Sequence, residues 1–467
     1  MLLAASPAAA HGFGQRFDLP LPLWLWVSAA GATIVLTFAA IALFVRERSF
    51  GAGHPQLRLL ELDRLRPLAA LLRLAGVLIF VVTLCAGFIG VQDAYRNLIT
   101  PMVWVLWWVG FAFVCALLGN LWALVNPLTT IFIWVEGLYA ALTGSALPRK
   151  LPYPAWLGVW PAVVLFLGFA WAELVWRDKD VPAHLARALL CYAALTWIGM
   201  LLYGRELWLK NGEAFSVVFD VLARFAPLYA SQGRLVLRPP GAGLITNQPV
   251  RFSFLVFVLL MLASVTFDGF KETPLNQQIN TAVQSSRSIA SLLFELSELG
   301  FDESQLVESA ELIAFPLVFL AVFWLTSRVI KASTPTPLSV TEVACAFVLT
   351  LVPIAVAYHL AHYFSLLLTA GQFIIPLASD PFGFGWNLFG SATYKVDLGI
   401  VSPYVFWYSA VTIIVLGHVI AVVLAHVAAL RVFGSRQGAL VSQLPMMALM
   451  IAYTTLSLWI LAQPIVG

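Results

Sequence analysis

Uninterrupted apolar runs about as long as a bilayer is thick restrict this chain more than any other feature. A helix needs roughly 20 such residues to cross the hydrocarbon, where no water is present to satisfy open backbone groups. Ten runs fit that ruler. In the first half they are Leu21–Val45, Leu74–Val91, Met102–Gly119, Pro154–Trp176 and His184–Tyr203. In the second half they are Phe252–Thr266, Leu312–Ile330, Thr341–Ala370, Tyr404–Val432 and Val441–Ile465. The first of these second-half runs is short, and the run from Thr341 is long enough to tilt or break at Pro353. With 61% hydrophobic and 10% charged residues, the chain lacks the charge of a soluble enzyme, in which about a quarter of residues are charged. The short alternating segments of a β-barrel are missing. The expected fold is therefore all-α: a polytopic transmembrane bundle of about ten spans.

Basic residues between spans set the orientation. One set of alternate loops carries seventeen Lys and Arg, among them Arg58, Arg64, Arg205, Arg238 and Arg431; the other set carries seven. The richer side is expected to be cytoplasmic and both termini outside. This divides the chain into an N-terminal signal-like segment (1–20), a first helical half (21–203), a cytoplasmic amphipathic loop (204–251) and a second half (252–467). Outer loops at 268–311 and 371–403 could together roof a site. Within 204–251, Ala214, Val217, Val218, Val221, Leu222 and Phe225 recur at helical spacing, as in a helix lying on the inner leaflet. Asn120 and Asn126 are expected to cap a re-entrant or interfacial segment. Phosphate-binding and dinucleotide motifs are missing, as is a basic stripe for nucleic acid. The four cysteines (Cys85, Cys115, Cys191 and Cys345) all fall inside spans and read as small apolar residues.

Ionisable residues within spans are expensive and each needs a reason. His359 and His362 share one span, one turn apart on a single face, as paired ligands in bundle metal sites do. At about 1.5 Å per residue, His362 lies ~12 Å from the outer end, His359 ~17 Å and His418 ~21 Å, so the three could meet. His426 lies deeper, near the cytoplasmic end, and His54 and His184 read as bystanders. Asp268 closes the short span and could serve as metal ligand, second partner of an imidazole, or general base. Ala8-Ala9-Ala10 has the small-residue form of a signal-peptidase site. Cleavage there would make His11 a mature N-terminus, with amine and imidazole on one chelating residue; the alternative is an uncleaved flexible end. The expected cofactor is a divalent transition metal, and such a donor set suits Zn, Mn, Fe or Cu alike. Interhelical hydrogen bonding, with Tyr358 and Tyr363 as partners, is the alternative role for the histidines.

Four stretches carry a resemblance. Ala10-His11-Gly12-Phe13-Gly14-Gln15-Arg16-Phe17-Asp18-Leu19-Pro20-Leu21-Pro22-Leu23, Gly119-Asn120-Leu121-Trp122, Thr266-Phe267-Asp268-Gly269 and His359-Leu360-Ala361-His362-Tyr363 resemble the bacterial integral-membrane family known as fenitrothion hydrolases. The likeness extends over nearly the whole chain, with the N-terminal stretch its most specific part. It implies hydrolysis of organophosphate triesters at a bacterial inner membrane, and it assigns no residue roles. A His and carboxylate metal site suits that chemistry. The expected partners are the lipid bilayer and an apolar small-molecule substrate, with nucleic acid excluded and homo- or hetero-oligomers open. Two rival classes stand beside it: an ion or small-molecule transporter, and a non-catalytic, metal-binding subunit of a larger complex.

Overall fold

The computed structural model describes residues 19–44, 55–148, 151–246 and 250–463. His11, His54 and the signal-like segment before residue 19 lie outside the described residues. The fold is an all-α polytopic bundle. Among the described residues, eleven helical segments are long and apolar enough to cross a membrane, against ten expected, the addition being Trp122–Thr143. Leucines and valines such as Leu71, Val164 and Leu317 point outward with little cover, as a surface solvated by lipid requires.

In chain order, the first helices are α1 (Leu23–Phe44), α2 (Arg66–Ile89), α3 (Ile99–Leu117), α4 (Pro127–Thr143), α5 (Trp160–Leu174) and α6 (Pro182–Tyr203). Two short ones follow, α7 (Arg205–Asn211) and α8 (Ala214–Phe225), and then α9 (Phe252–Lys271). A hairpin of α10 (Pro274–Ser285) and α11 (Arg287–Glu298) leads to α12 (Glu303–Ser333). The chain closes with α13 (Val340–Phe347), α14 (Val352–Thr369), α15 (Pro403–Phe433) and α16 (Arg436–Ala462). The run from Thr341 does break: a tight turn at Val348–Leu351 separates α13 from α14, and Pro353 occupies the first turn of α14, where its missing N–H costs nothing.

One end of the bundle gathers Arg205, Arg224, Arg238 and Arg251 with a small antiparallel sheet. Its strands, β1 (Leu57–Glu61), β2 (Leu228–Ser231) and β3 (Arg234–Leu237), lie in the order β1-β3-β2. The turn between β2 and β3 is Gln232-Gly233, both at positive φ, the geometry that matches strand twist in a two-residue hairpin. This end is called the arginine face below, and the opposite end the far face.

Helix α4 begins part-way through the bundle. The Trp197 indole donates to the Leu128 carbonyl at 3.0 Å, and Glu136 pairs with Arg205 at 3.4 Å. Both α4 and α6 therefore advance toward the arginine face, and α4 continues the direction of α3 after a break. That break is capped by asparagine, as expected. Asn126 accepts from the N–H groups of Leu128 and Thr129, and Asn120 accepts from that of Ala123.

The segment expected to lie on the inner leaflet is instead inside the protein. From Gly204 (φ +87°) the chain reverses, and α7 climbs back along α6, laying Trp208 on Gly199. Glu213 sits at the tip, fully buried, and its carboxylate accepts from the Tyr192 hydroxyl and from the Phe215 and Ser216 N–H groups. Tyr192 lies eleven residues above the end of α6, about 17 Å into the bundle. Helix α8 then returns, its apolar face packed on α3, α5 and α14. The amphipathic spacing was real, but its partner is protein, because Phe215 and Phe219 fit an aromatic cluster with Trp107, Trp108, Trp122 and Phe169. Removing the Glu213 carboxylate strands the Tyr192 hydroxyl and two N–H groups. Glu213→Ala should therefore cost about 1–3 kcal/mol per stranded group, read as a lower unfolding midpoint in detergent, whereas Glu213→Gln should recover part of that loss.

Candidate functional site

Helices α5 and α9 run side by side toward the far face. Val159 N–H meets the Ser253 hydroxyl at one end (3.1 Å), and Lys271 Nζ meets the Leu174 carbonyl at the other (2.6 Å). This places Asp268 one turn inside the far face, only 8% exposed. Across from it, α14 presents His362 and Tyr363. His362 Nε2 lies 2.9 Å from Asp268 Oδ2, and the Tyr363 hydroxyl donates to the same oxygen at 2.8 Å. A neutral His362 that donates from Nε2 keeps its lone pair on Nδ1. That nitrogen is buried and has no partner among the described residues.

The close approach depends on Gly269. A Cβ there would stand 2.7 Å from Ile460, 3.1 Å from the Tyr358 hydroxyl and 3.3 Å from His362 Cε1. His362 is further held by stacking on Tyr358, at 5.8 Å between ring centroids and 23° between planes.

His359 lies one turn deeper, 5% exposed, with its ring edge-on to Trp108 (5.5 Å) and Tyr363 (4.8 Å). Its Nε2 is likewise without a partner among the described residues. Trp108 reaches it from a nine-residue π-helical stretch, Met102–Gly110, within α3. Such wide turns are rare and cluster at functional positions.

On the flank, Glu173 of α5 lies within electrostatic reach of Asp268, Lys179 and Lys271. Lys179 Nζ donates to the Glu173 carbonyl at 2.6 Å, and Lys271 lies 3.7 Å from Glu308 of α12. Burial and the neighbouring Lys271 charge hold the Lys179 amine below its ordinary range.

Among the described residues, the expected ligands His359, His362 and His418 are not gathered at one point. His418 stands on α15 with Nδ1 bound to the Ile414 carbonyl at 2.8 Å, and its ring lies 6.4 Å from that of Tyr453. Among the described residues, no three His, Cys, Asp or Glu side chains are grouped to hold a metal ion. His11 lies outside the described residues. Asp268 and His362 thus come together, His359 is a turn away, and His418 belongs to another layer.

No family model, curated protein or solved structure matches the chain. The site therefore stands on its own geometry.

The two outer loops do not form one roof. The helices of the first, α10 and α11, pack on α9 and α12. The second bonds to the α2–α3 turn, where Val91 N–H meets the Phe382 carbonyl and Leu98 N–H that of Pro381. Lys179 and Glu213 had no visible role in the sequence. Their one available sign was position: a lysine just past a span carrying Glu173, and a lone acid directly before an amphipathic helix, where N-caps fall. Gly269→Ala should push α14 away from α9, lowering stability by about 1–3 kcal/mol. Thermal unfolding in detergent checks this, and an unchanged midpoint would mean that the two helices separate freely.

Proposed function

We propose that this chain is a membrane-embedded, metal-dependent hydrolase of apolar esters, of the organophosphate triester class that its sequence resembles. The observation that carries the reading is the Asp268–His362 pair, which leaves a buried imidazole nitrogen unused, with a second unpartnered one on His359 a turn away along α14. Metal-binding histidines commonly donate their other N–H to a carboxylate, which fixes the ring and raises its basicity. Asp268 does this for His362, and Tyr363 holds the carboxylate from the other side.

His359 Nε2 and His362 Nδ1 would hold a divalent transition metal, with His11 as the expected third donor. When bound, that ion would polarise a phosphoryl oxygen and lower the pKa of a water. The chain's own residues do the rest. Asp268 keeps His362 in the tautomer that carries its proton on Nε2, which leaves Nδ1 as the donor nitrogen and raises its basicity. Trp108 and Phe113 pack their rings on His359, apolar surroundings that suit a substrate that partitions into lipid. By the positive-inside bias, the pair faces the outside of a bacterial inner membrane.

The test uses the full chain in mild detergent. Elemental analysis should give about one metal ion per chain, together with turnover of an aromatic phosphotriester that releases a coloured phenol. His359→Ala should lose the metal. Asp268→Asn should retain the fold and lose roughly 10²–10⁴-fold in kcat. Wild-type turnover in both variants would refute the assignment, and so would a metal-free wild-type protein with no turnover.

A further inference from the structure

Backbone donors in a loop exposed to water can be left to water, whereas donors that lose water need partners in the protein. The loop that follows Ser379 supplies its own. The Asp380 carboxylate accepts from the Phe384 and Gly385 N–H groups at 2.9 and 2.6 Å, and the Ser379 hydroxyl from those of Phe389 and Ser391 at 3.0 and 3.2 Å. Leu388 N–H meets the Ser379 carbonyl at 3.1 Å, Ala392 N–H meets Asn387 Oδ1 at 3.1 Å, and Tyr394 N–H meets the Ser391 carbonyl at 3.0 Å. Ser391 in turn donates from its hydroxyl to the Ile375 carbonyl at 2.6 Å. Gly383, Gly385 and Gly390, all at positive φ, let the chain fold back onto these anchors.

What the loop displays is apolar. Residues 381–394 include no Asp, Glu, Lys, Arg or His. Phe384, Trp386, Leu388 and Phe389 all point outward, from 43% exposed at Trp386 to 76% at Phe389. Phe382, Phe384 and Trp386 pack on one another, with ring centroids 5.4–5.6 Å apart. Bonds to the α2–α3 turn set the height of the loop: Val91 N–H meets the Phe382 carbonyl at 2.9 Å, and Leu98 N–H that of Pro381 at 3.1 Å. Helix α2 ends at Ile89, which is itself exposed, so the loop stands at the edge of the hydrocarbon. The chain then runs on to α15, whose first turns expose Tyr404 and Tyr408, a residue type that gathers where hydrocarbon meets headgroups. The apolar display thus joins the lipid-facing surface at α2 and again at α15.

We infer that this loop is inserted in the membrane: Phe384, Trp386, Leu388 and Phe389 enter the lipid leaflet at the far face, while Ser379, Asp380 and Asn387 hold the backbone so that insertion strands few donors. Irregular backbone is tolerated at membrane depth only where its polar groups are already met. A protein partner brings hydrogen-bonding groups of its own, and the patch that receives it has a polar rim. This patch has most of its donors met beforehand and no charged side chain between Pro381 and Tyr394, which suits acyl chains instead. Insertion needs no substrate and holds whatever chemistry the Asp268–His362 pair performs.

The test is nitroxide accessibility in the full chain, with Cys85, Cys115, Cys191 and Cys345 changed to Ala and the protein reconstituted in phosphatidylcholine–phosphatidylglycerol vesicles. Single labels go on Leu388→Cys and Phe389→Cys. Leu317→Cys, exposed on α12, is the lipid reference, and Gln232→Cys, in the turn between β2 and β3, is the aqueous one. Both loop labels should show a ratio of oxygen to nickel-chelate collisions several-fold above that of the Gln232 label, in the direction of the Leu317 label. A ratio equal to that at Gln232 would place the loop in water and overturn insertion. Few collisions with either quencher would overturn it as well, since the loop would then be covered by protein, a second copy included. Should the cysteine-free chain fail size exclusion, the native chain still decides. Dibromo-phosphatidylcholine should quench the emission that Trp386→Phe removes, and an unquenched Trp386 component would refute insertion.

Discussion

A carboxylate held inside a bundle of hydrocarbon-facing helices persists only if donors replace the water it has lost. Asp268 meets that condition with an imidazole and a phenol on one oxygen, and much of the neighbouring structure follows from holding those donors in place. Gly269 lets α14 come close enough, Tyr358 stacks behind His362, and Gly417 lets α15 lie against Ala357 and the Pro353 carbonyl. The wide turn in α3 brings Trp108 over His359. Each of these features limits how far the imidazoles can move, and a fixed ring with one unused nitrogen is the starting point for ligation.

Helix α14 presents its polar side chains on different faces. His359 and His362 turn toward α3 and α9, where the ester chemistry is placed. Tyr358 turns toward Tyr453 of α16.

The helical bundle was legible because span length is dictated by the bilayer, and neither tertiary detail nor side-chain chemistry changes that requirement. Asp268, His359 and His362 were legible for a related reason: ionisable groups are conspicuous where they are costly. The pairing of Asp268 with His362, 94 residues apart, was not, because helix azimuth sets it and one apolar run looks like another. His418 was placed with them on depth alone, and depth says nothing of which neighbour a side chain faces. Helix α8 misled for a different reason, since an amphipathic stripe records that one face is covered and not by what. The Trp122–Thr143 helix escaped because Asn120 and Asn126 interrupt the apolar run, and those same residues turn out to cap its start.

The buried tip at Glu213 also bears on how the protein is made. A hairpin with an acid at its apex gains nothing by entering lipid alone, and α7 and α8 are each too short to cross. Tyr192, however, precedes Glu213 in the chain and is already in place on α6 when the hairpin emerges. The N–H groups of Phe215 and Ser216 follow within three residues, whereas the α14 surface that α8 covers is synthesised more than a hundred residues later. The fold therefore carries an order of assembly: the acid takes a hydrogen bond from the helix before it, is held on a half-built wall of α3, α5 and α6, and is enclosed only when the second half of the chain arrives.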